Sequence, residues 1–468
     1  MTDPVDIVVL GGGPGGYATA LRGAARGLTV TMVEADLVGG TCLHRGCIPS
    51  KALLHIAHLA DTLPQMGQLG LATGGPGLDV AAAGRFRDDV VNTLYKGLVG
   101  LVRTRGITTV QGWGRLSAPG TVEVTPTGEP GEPTTGGAPT TIQARHVVVA
   151  TGSAPIDLSI APADGTRILT SDDALRLERV PRRAVVVGGG AVGVEFASLW
   201  RSLGAEVTLV EALDRLLPLE DPDSSAALAR AFRARGIDVR TGVGLAGAKA
   251  DDDGVRVELV DGTSLDVDQV LVAVGRRPRT AGIGLEALGV LDDRGRVLVD
   301  GLGRTAVDGL WAVGDVLPTL ALAHAAFAEG FAVADAVAGL SPRPVDHRQI
   351  PRVTYCTPEV ASVGLTEPEA RALGNEVRTT KLTLAGNARA LIERAGGHVK
   401  LVTLNDGTIV GAHLVGPSAT ELIGELGLAT AWGALAEEVA DVVHAHPSLS
   451  EATRETALAA AGLPFHAH

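Results

Sequence analysis

Aromatic side chains are scarce in this chain, at 3% of 468 residues. Its cores must therefore be packed with small aliphatic side chains. The 45% apolar fraction, rich in Ala and with 62 Gly, supplies enough of them. Cysteine is scarcer still. Three in the whole chain exclude the disulfide framework of a small secreted domain. Basic charge is in deficit: 40 Lys and Arg face 53 Asp and Glu, for a formal net charge of −13. That argues against nucleic acid as a partner and leaves no polybasic patch for a membrane surface. No long uncharged apolar run is present, and no basic leader precedes the first apolar strand. The reading expects a soluble cytoplasmic protein of roughly three domains, at about 150 residues each.

Two of the three cysteines lie close together, in Gly39-Gly40-Thr41-Cys42-Leu43-His44-Arg45-Gly46-Cys47-Ile48-Pro49-Ser50-Lys51. Their spacing is neither Cys-x-x-Cys nor a zinc spacing. Pro49 suits the first turn of a helix, and Ala52, Leu53, Leu54, Ile56, Ala57 and Leu59 continue one. Cys47 is thus expected near a helix N-terminus, where the dipole and free N–H groups favour a thiolate. Five residues of ideal helix advance ~7.5 Å, while a disulfide needs Cα atoms within about 7 Å. A Cys42–Cys47 bond therefore requires an irregular turn, which Gly46 permits. Two readings stand at this point: a reactive dithiol, or two reduced cysteines packed in an intracellular protein.

What surrounds the pair is more specific. Val5–Leu10 reads as a buried strand, and Gly11, Gly13 and Gly16 follow it in G-x-G-x-x-G spacing at the start of a helix. A second strand ends at Glu34. This is a βαβ dinucleotide fingerprint with its acidic residue in place. The unit recurs. Val185-Val186-Val187 leads into Gly188, Gly190 and Gly193, and the next strand ends at Glu211. In both copies the acid lies 23 positions after the first glycine. Two fingerprints imply two dinucleotides, and a flavin with a nicotinamide nucleotide is the economical pair beside a dithiol. Glu211 suits a free ribose 2′-hydroxyl and repels a 2′-phosphate, so NAD is expected over NADP; Arg215 weakens this slightly.

Elsewhere, residues 117–141 are rich in Pro, Gly and Thr and read as an exposed hairpin loop. Val147–Ala150 runs into Thr151-Gly152-Ser153, and Val270–Val274 runs into Gly275-Arg276 in the same manner. Leu310–Val313 runs into Gly314-Asp315, an acid that is either a flavin ribityl ligand or a solvated turn residue. After about residue 345 the pattern changes to strands near 352–356, 376–384, 398–404 and 408–415, then helices at 418–436 and 450–461. This last region holds His446-Pro447-Ser448-Leu449-Ser450-Glu451. A histidine with a carboxylate five residues on is either an ordinary surface pair or a base oriented by an acid. Cys356 reads as a buried spectator.

Together these residues resemble the flavoprotein pyridine-nucleotide disulfide reductases. Cys-Ile-Pro-Ser-Lys combined with His-x-His-Pro-Ser-Leu-Ser-Glu looks like their dihydrolipoamide dehydrogenase branch. The resemblance runs nearly end to end. Glutathione reductases usually differ at the position of Ser50 and carry basic residues at their second fingerprint. The resemblance implies that Cys42 is the interchange thiol, Cys47 the thiol beside the flavin, His446 a base contributed across a homodimer interface, and Glu451 its orienting acid. It implies FAD at Gly11, Gly13, Gly16, Glu34, Thr41, Lys51, Gly114, Thr151, Gly152, Asp315 and Ala323. It implies NAD at Gly188, Gly190, Gly193, Glu195, Glu211 and Gly275, with Lys51 and Glu195 close to flavin and nicotinamide. His44-Arg45 and Ala321 depart from the family pattern.

The fold implied is α/β, with two Rossmann-like domains and a C-terminal α+β dimerisation domain. The segments are 1–150 for FAD, 151–274 for NAD, 275–345 returning to the FAD domain, and 346–468 for the interface. The activity implied is oxidation of dihydrolipoamide to lipoamide through a Cys42–Cys47 disulfide and FAD, with NAD⁺ reduced to NADH. The partner implied is a lipoyl-bearing acyltransferase of a 2-oxo acid dehydrogenase complex or a lipoyl carrier protein. Two alternatives remain: an NAD(P)H-dependent reductase of another, small-thiol disulfide, and a redox-inactive structural flavoprotein.

Overall fold

The computed structural model describes residues 4–66, 69, 77–127, 138–176, 178–374 and 376–466. Its contacts gather into two units. One comprises Met1–Ala52, Ala82–Ile156 and Arg276–His347; the other comprises Leu53–Ala81, Asp157–Gly275 and Arg348–His468.

In the first unit, Val5–Leu10 is a central strand because it is apolar from Ile7 onward, with Ile7, Val8 and Val9 fully buried. Such a run needs cover on both faces, as a parallel sheet provides. It pairs in parallel with Val30–Glu34 and with Thr140–Val149. Thr108–Gln111 extends one side and Leu310–Ala312 the other, also in parallel. All five strands therefore end at one edge, where Gly11, Glu34, Ala150 and Val313 follow. In open α/β sheets that edge is where ligands bind.

The stretch 117–141 is only partly the loop expected. Trp113–Ala118 and Thr121–Thr125 form an antiparallel ribbon that the start of Thr140–Val149 joins. Val122 and Val124 are buried, a two-residue alternation masked by the Pro, Gly and Thr content around it. Residues 128–137 of that stretch lie outside the described residues.

The second unit repeats the plan. Asp238–Thr241, Glu206–Glu211, Arg183–Val187, Gln269–Val272 and Ile168–Leu169 form a parallel sheet in that order. Trp200 and Phe232, two of the chain's few aromatics, are fully buried in its core. The same unit holds a five-stranded antiparallel sheet in the order Arg352–Thr354, Glu359–Gly364, Ile409–Gly416, His398–Leu404 and Val377–Thr383. Helices Ala419–Trp432, Ala436–Asp441 and Glu451–Ala460 share its core. Strand Glu359–Gly364 was not anticipated: it is short and follows a proline. The helix expected over 418–436 ends at Trp432, because Gly433 takes the left-handed conformation (φ 65°) and closes it. The α/β class with two Rossmann-like arrangements and a C-terminal α+β region is what the structure has.

Candidate active site

The cysteine stretch is two helices broken at one residue. Gly40–Arg45 is a short helix, Gly46 leaves it with φ −146° and ψ −116°, and Cys47 opens the helix Cys47–Met66. A Cβ on Gly46 would lie 3.0 Å from the Thr41 carbonyl oxygen and 3.2 Å from the Cys42 Cα. Glycine is thus what lets the two cysteines approach, and Cys47 has the helix N-terminus expected for it. Both cysteines are half-buried. The Cys42 thiol is hydrogen-bonded to Cys47. That bond, burial and the negative charge of Cys47 push the Cys42 pKa far up, against the opposing Lys51 ammonium. Of the reduced pair, Cys42 is thus the sulfur held in its thiol form. Tyr17 is pushed up to about 12 by burial and then by the two sulfurs. His44 and Arg45 anchor the turn. His44 Nε2 lies 2.9 Å from the Val38 carbonyl, with its ring edge-on to Tyr95, and Arg45 pairs with Asp36.

The two glycine fingerprints have the same local geometry. Gly11 (φ 102°) and Gly188 (φ 109°) are left-handed, and a Cβ on either would strike the carbonyl of Ala150 or Ala273 within 2.4 Å. Only glycine fits there. Gly13 and Gly190 precede the helices Pro14–Ala25 and Ala191–Ser202 in extended conformation. Gly16 and Gly193 sit against the Gly11 and Gly188 carbonyls. The acids match as well. Glu34 accepts the Gly12 N–H at 2.5 Å and the Asp36 N–H at 2.7 Å; Glu211 accepts the Gly189 N–H at 2.6 Å and the Leu213 N–H at 2.7 Å. A Cβ at Gly190 would meet nothing within 4 Å, and one at Gly13 only the Gly40 Cα at 3.9 Å. Open backbone above the N-terminus of a 12-residue helix fits a pyrophosphate, so these residues suit two dinucleotides. Arg215 Nη2 donates to the Pro218 carbonyl at 3.0 Å.

The remaining first-unit residues surround the same sheet edge. Thr41 lies in the short cysteine helix, and Gly114 packs on Leu10 and Val33. Thr151 Oγ1 donates to the Arg279 carbonyl, Gly152 is left-handed, and Ala323 opens the helix Ala323–Val337. Asp315 is clamped: Ser153 Oγ donates to its Oδ2 at 2.5 Å, and Arg276 Nε donates to Ser153 Oγ at 2.7 Å.

Sequence reasoning missed Glu329, the buried one of two acids in the Ala-rich helix Ala323–Val337. It is 6% exposed and accepts the Gly314 N–H at 2.6 Å, directly under Asp315; His347 Nε2 lies 3.5 Å away. Burial pushes its pKa from 4.5 up to about 7. A carboxyl raised in the folded state favours folding at low pH, and that benefit is lost as pH rises from about 4.5 to about 7. The full difference is on the order of 3 kcal/mol. Glu329→Gln keeps an oxygen for Gly314 and should flatten this dependence. Its melting temperature is expected to gain on wild type between pH 4.5 and 8; a pH-independent difference would contradict this account of Glu329.

In the second unit, Glu195 is 7% exposed and accepts the Tyr355 N–H at 2.9 Å. Gly275 is left-handed at φ 128°. Cys356 is buried, its thiol raised first by burial and then by Glu195, which suits a spectator. His446 Nδ1 lies 2.8 Å from Glu451 Oε1, and Glu451 Oε2 accepts the Ser448 N–H at 2.8 Å. Burial alone would raise Glu451, but the Ser448 N–H and His446 outweigh it and hold the carboxyl below its ordinary value. The first-turn position of Glu451 in its helix adds to this. The His446 side chain is 75% exposed.

Residues 5–330 match the family model for pyridine nucleotide-disulphide oxidoreductases, and residues 350–457 match the dimerisation domain of that family. The chain belongs to the pyridine nucleotide-disulphide oxidoreductases. The dimerisation match supports a homodimer. This oxidoreductase is 40% identical to dihydrolipoyl dehydrogenase 2 of Haloarcula marismortui, over 100% of this chain and 98% of that protein. It is 38% identical to the dihydrolipoyl dehydrogenase of Bacillus subtilis, over 100% of both. The solved structure of LpdA from Mycobacterium tuberculosis matches with a TM-score of 0.89 and 30% identity, over 97% of this chain and 99% of that one. Among the described residues, no helix is long and apolar enough to cross a membrane.

Proposed function

We propose that this oxidoreductase is an FAD-dependent dihydrolipoyl dehydrogenase, oxidising dihydrolipoamide to lipoamide and reducing NAD⁺ to NADH. The carrying observation is end-to-end likeness to dihydrolipoyl dehydrogenases in a chain that keeps the hydrogen-bonded Cys42–Cys47 pair and the His446–Glu451 pair. FAD belongs to residues 1–150 and 275–345, at Gly11, Gly13, Gly16, Glu34, Thr41, Lys51, Gly114, Thr151, Gly152, Asp315 and Ala323. NAD belongs to 151–274 with Gly275, at Gly188, Gly190, Gly193, Glu195 and Glu211. Residues 346–468 form the dimer interface. The protein is cytoplasmic and serves a lipoyl-bearing acyltransferase of a 2-oxo acid dehydrogenase complex or a lipoyl carrier protein.

In the proposed sequence, Glu451 accepts the Nδ1–H of His446, which leaves Nε2 as the working base. His446 of one subunit takes a proton from a dihydrolipoyl thiol beside Cys42 of the other. The thiolate attacks Cys42 Sγ of the oxidised pair and expels Cys47 as a thiolate, the form its helix N-terminus favours. The second substrate sulfur, deprotonated in turn, attacks the substrate sulfur of the mixed disulfide. Lipoamide leaves, and Cys42 and Cys47 hold the electron pair. Bound FAD supplies the route for that pair from the dithiol to NAD⁺ as hydride.

The test compares NADH formation from dihydrolipoamide with NAD(P)H consumption on several small disulfides. Dihydrolipoamide is expected to win; a higher kcat/KM for another disulfide would replace this reading with the reductase alternative. Nucleotide choice follows from Glu211. NAD is expected over NADP, and Glu211→Gln should narrow that preference by roughly 10- to 100-fold, the worth of a charge-assisted hydrogen bond. Equal kcat/KM with both nucleotides in the wild type would contradict the role given to Glu211.

A further inference from the structure

The antiparallel sheet of the second unit carries an unusual row. Arg352, Ser362, His413, Lys400 and Lys381 are successive cross-strand partners. The Lys and Arg members of this row, set across a largely buried sheet, need acids to meet them. Glu220 and Asp221 come from the segment just before the helix Pro222–Ala234, Asp223 from its first turn, and Glu367 from the start of the helix Glu367–Ala372. Lys400, 3% exposed, reaches both oxygens of Asp221 at 3.0 and 3.1 Å, Asp223 at 2.9 Å and Glu367 at 3.1 Å. Asp221 is fully buried and also caps that helix, accepting the Asp223 N–H. Beside it, Arg352 Nε donates to Glu220 at 2.9 Å.

These anchors end a loop that begins at Glu211. Within it Leu217 is buried and left-handed, at φ 47°, a conformation an apolar L-residue keeps only when its surroundings impose it. The Leu217 N–H donates to the Gly189 carbonyl at 2.8 Å, and the Leu217 carbonyl accepts the Glu220 N–H at 2.8 Å. Leu216 closes on the same glycine: a Cβ at Gly189 would lie 2.8 Å from its Cδ2. The chain of contacts thus runs from the C-terminal sheet, through Asp221, Glu220 and Leu217, to the middle of the second glycine turn.

We propose that Lys400 and Arg352 are positioning residues for the nicotinamide nucleotide: by gripping Asp221 and Glu220 they hold Leu217 in its left-handed conformation, and Leu217 holds the Gly189 turn in shape. This rests on the reading that Gly188–Gly193 and Glu211 bind NAD. The region named for dimerisation therefore also sets nucleotide affinity, through contacts that touch neither nucleotide nor dithiol.

The test titrates NAD⁺ into the oxidised, FAD-loaded dimer by calorimetry for wild type, Lys400→Met, Asp221→Asn, and the double variant. Asn keeps the helix cap, and the double variant removes both members of the buried pair, so it leaves no carboxylate stranded at position 221. All three are expected to bind NAD⁺ about tenfold more weakly. In turnover, KM for NAD⁺ should rise while KM for dihydrolipoamide stays within about twofold. A general loss of structure would move both constants, and FAD content with them. Wild-type affinity in FAD-loaded Asp221→Asn or the double variant overturns the proposal, as does recovery in the double variant of affinity lost in Lys400→Met. Lys400→Met is not essential to the outcome, because Asp221→Asn decides alone if the former does not fold. A Glu211→Ala control separates the two claims. If it binds NAD⁺ as wild type does, the nucleotide reading fails; if it binds weakly and the anchor variants bind normally, only this inference fails.

Discussion

Replacing either cysteine of the pair by serine is expected to lower kcat/KM for dihydrolipoamide by on the order of 10³-fold or more. The two losses should have different origins. In the proposed mechanism, Cys42→Ser would remove the sulfur that the substrate thiolate attacks, so that no mixed disulfide could form. Cys47→Ser would remove the sulfur that leaves as a thiolate. The structure makes the difference measurable. The Cys42 thiol is pushed up by its hydrogen bond to Cys47, by burial and by the Cys47 charge. Removing Cys47 abolishes the first and third causes, so Cys42 in Cys47→Ser should react with iodoacetamide at a lower pH than Cys42 does in the reduced wild type. The visible spectrum supplies an independent check. A thiolate touching oxidised flavin gives a long-wavelength band, which should persist in Cys42→Ser and vanish in Cys47→Ser. The opposite pattern would mean that the two roles are reversed.

His446→Ala should cost about 10²–10⁴-fold in kcat/KM, the usual worth of a positioned general base. Glu451→Gln should cost less, since the amide oxygen can still accept the Nδ1–H but no longer stabilises a charged ring. The 75% exposure of His446 within one chain gives this prediction its second half. A working base is normally enclosed, and a partner subunit is the proposed enclosure. Heterodimers that combine a Cys42→Ser chain with a His446→Ala chain would then contain one intact site of two and regain activity that neither homodimer has. If the base acts within its own chain, both sites of such a heterodimer lack a part, and verified heterodimers would be as inactive as their parents.

The features legible in the sequence were those carried by local rules. A glycine that must be left-handed, a strand buried on both faces and an acid at the end of the next strand each leave a mark within about 25 residues. Hence both fingerprints, the cysteine turn broken at Gly46, and most of the C-terminal strands could be read directly. The His446–Glu451 spacing allowed a contact without requiring it; the turn at Pro447 and the helix start at Glu451 made it. Local composition misled at Thr121–Thr125, where Val122 and Val124 belong to a sheet edge surrounded by loop-like residues. What only the tertiary structure decided was the placement of charge in the interior. Nothing near Glu329 in the chain says that it will lie beneath Gly314 with its pKa raised, because desolvation depends on what packs above it. Nothing near Lys400 says that its partner is Asp221, 179 residues away. Burying an ion is too costly unless the fold brings its counter-ion alongside, and that is a property of strand order and register rather than of any stretch of sequence.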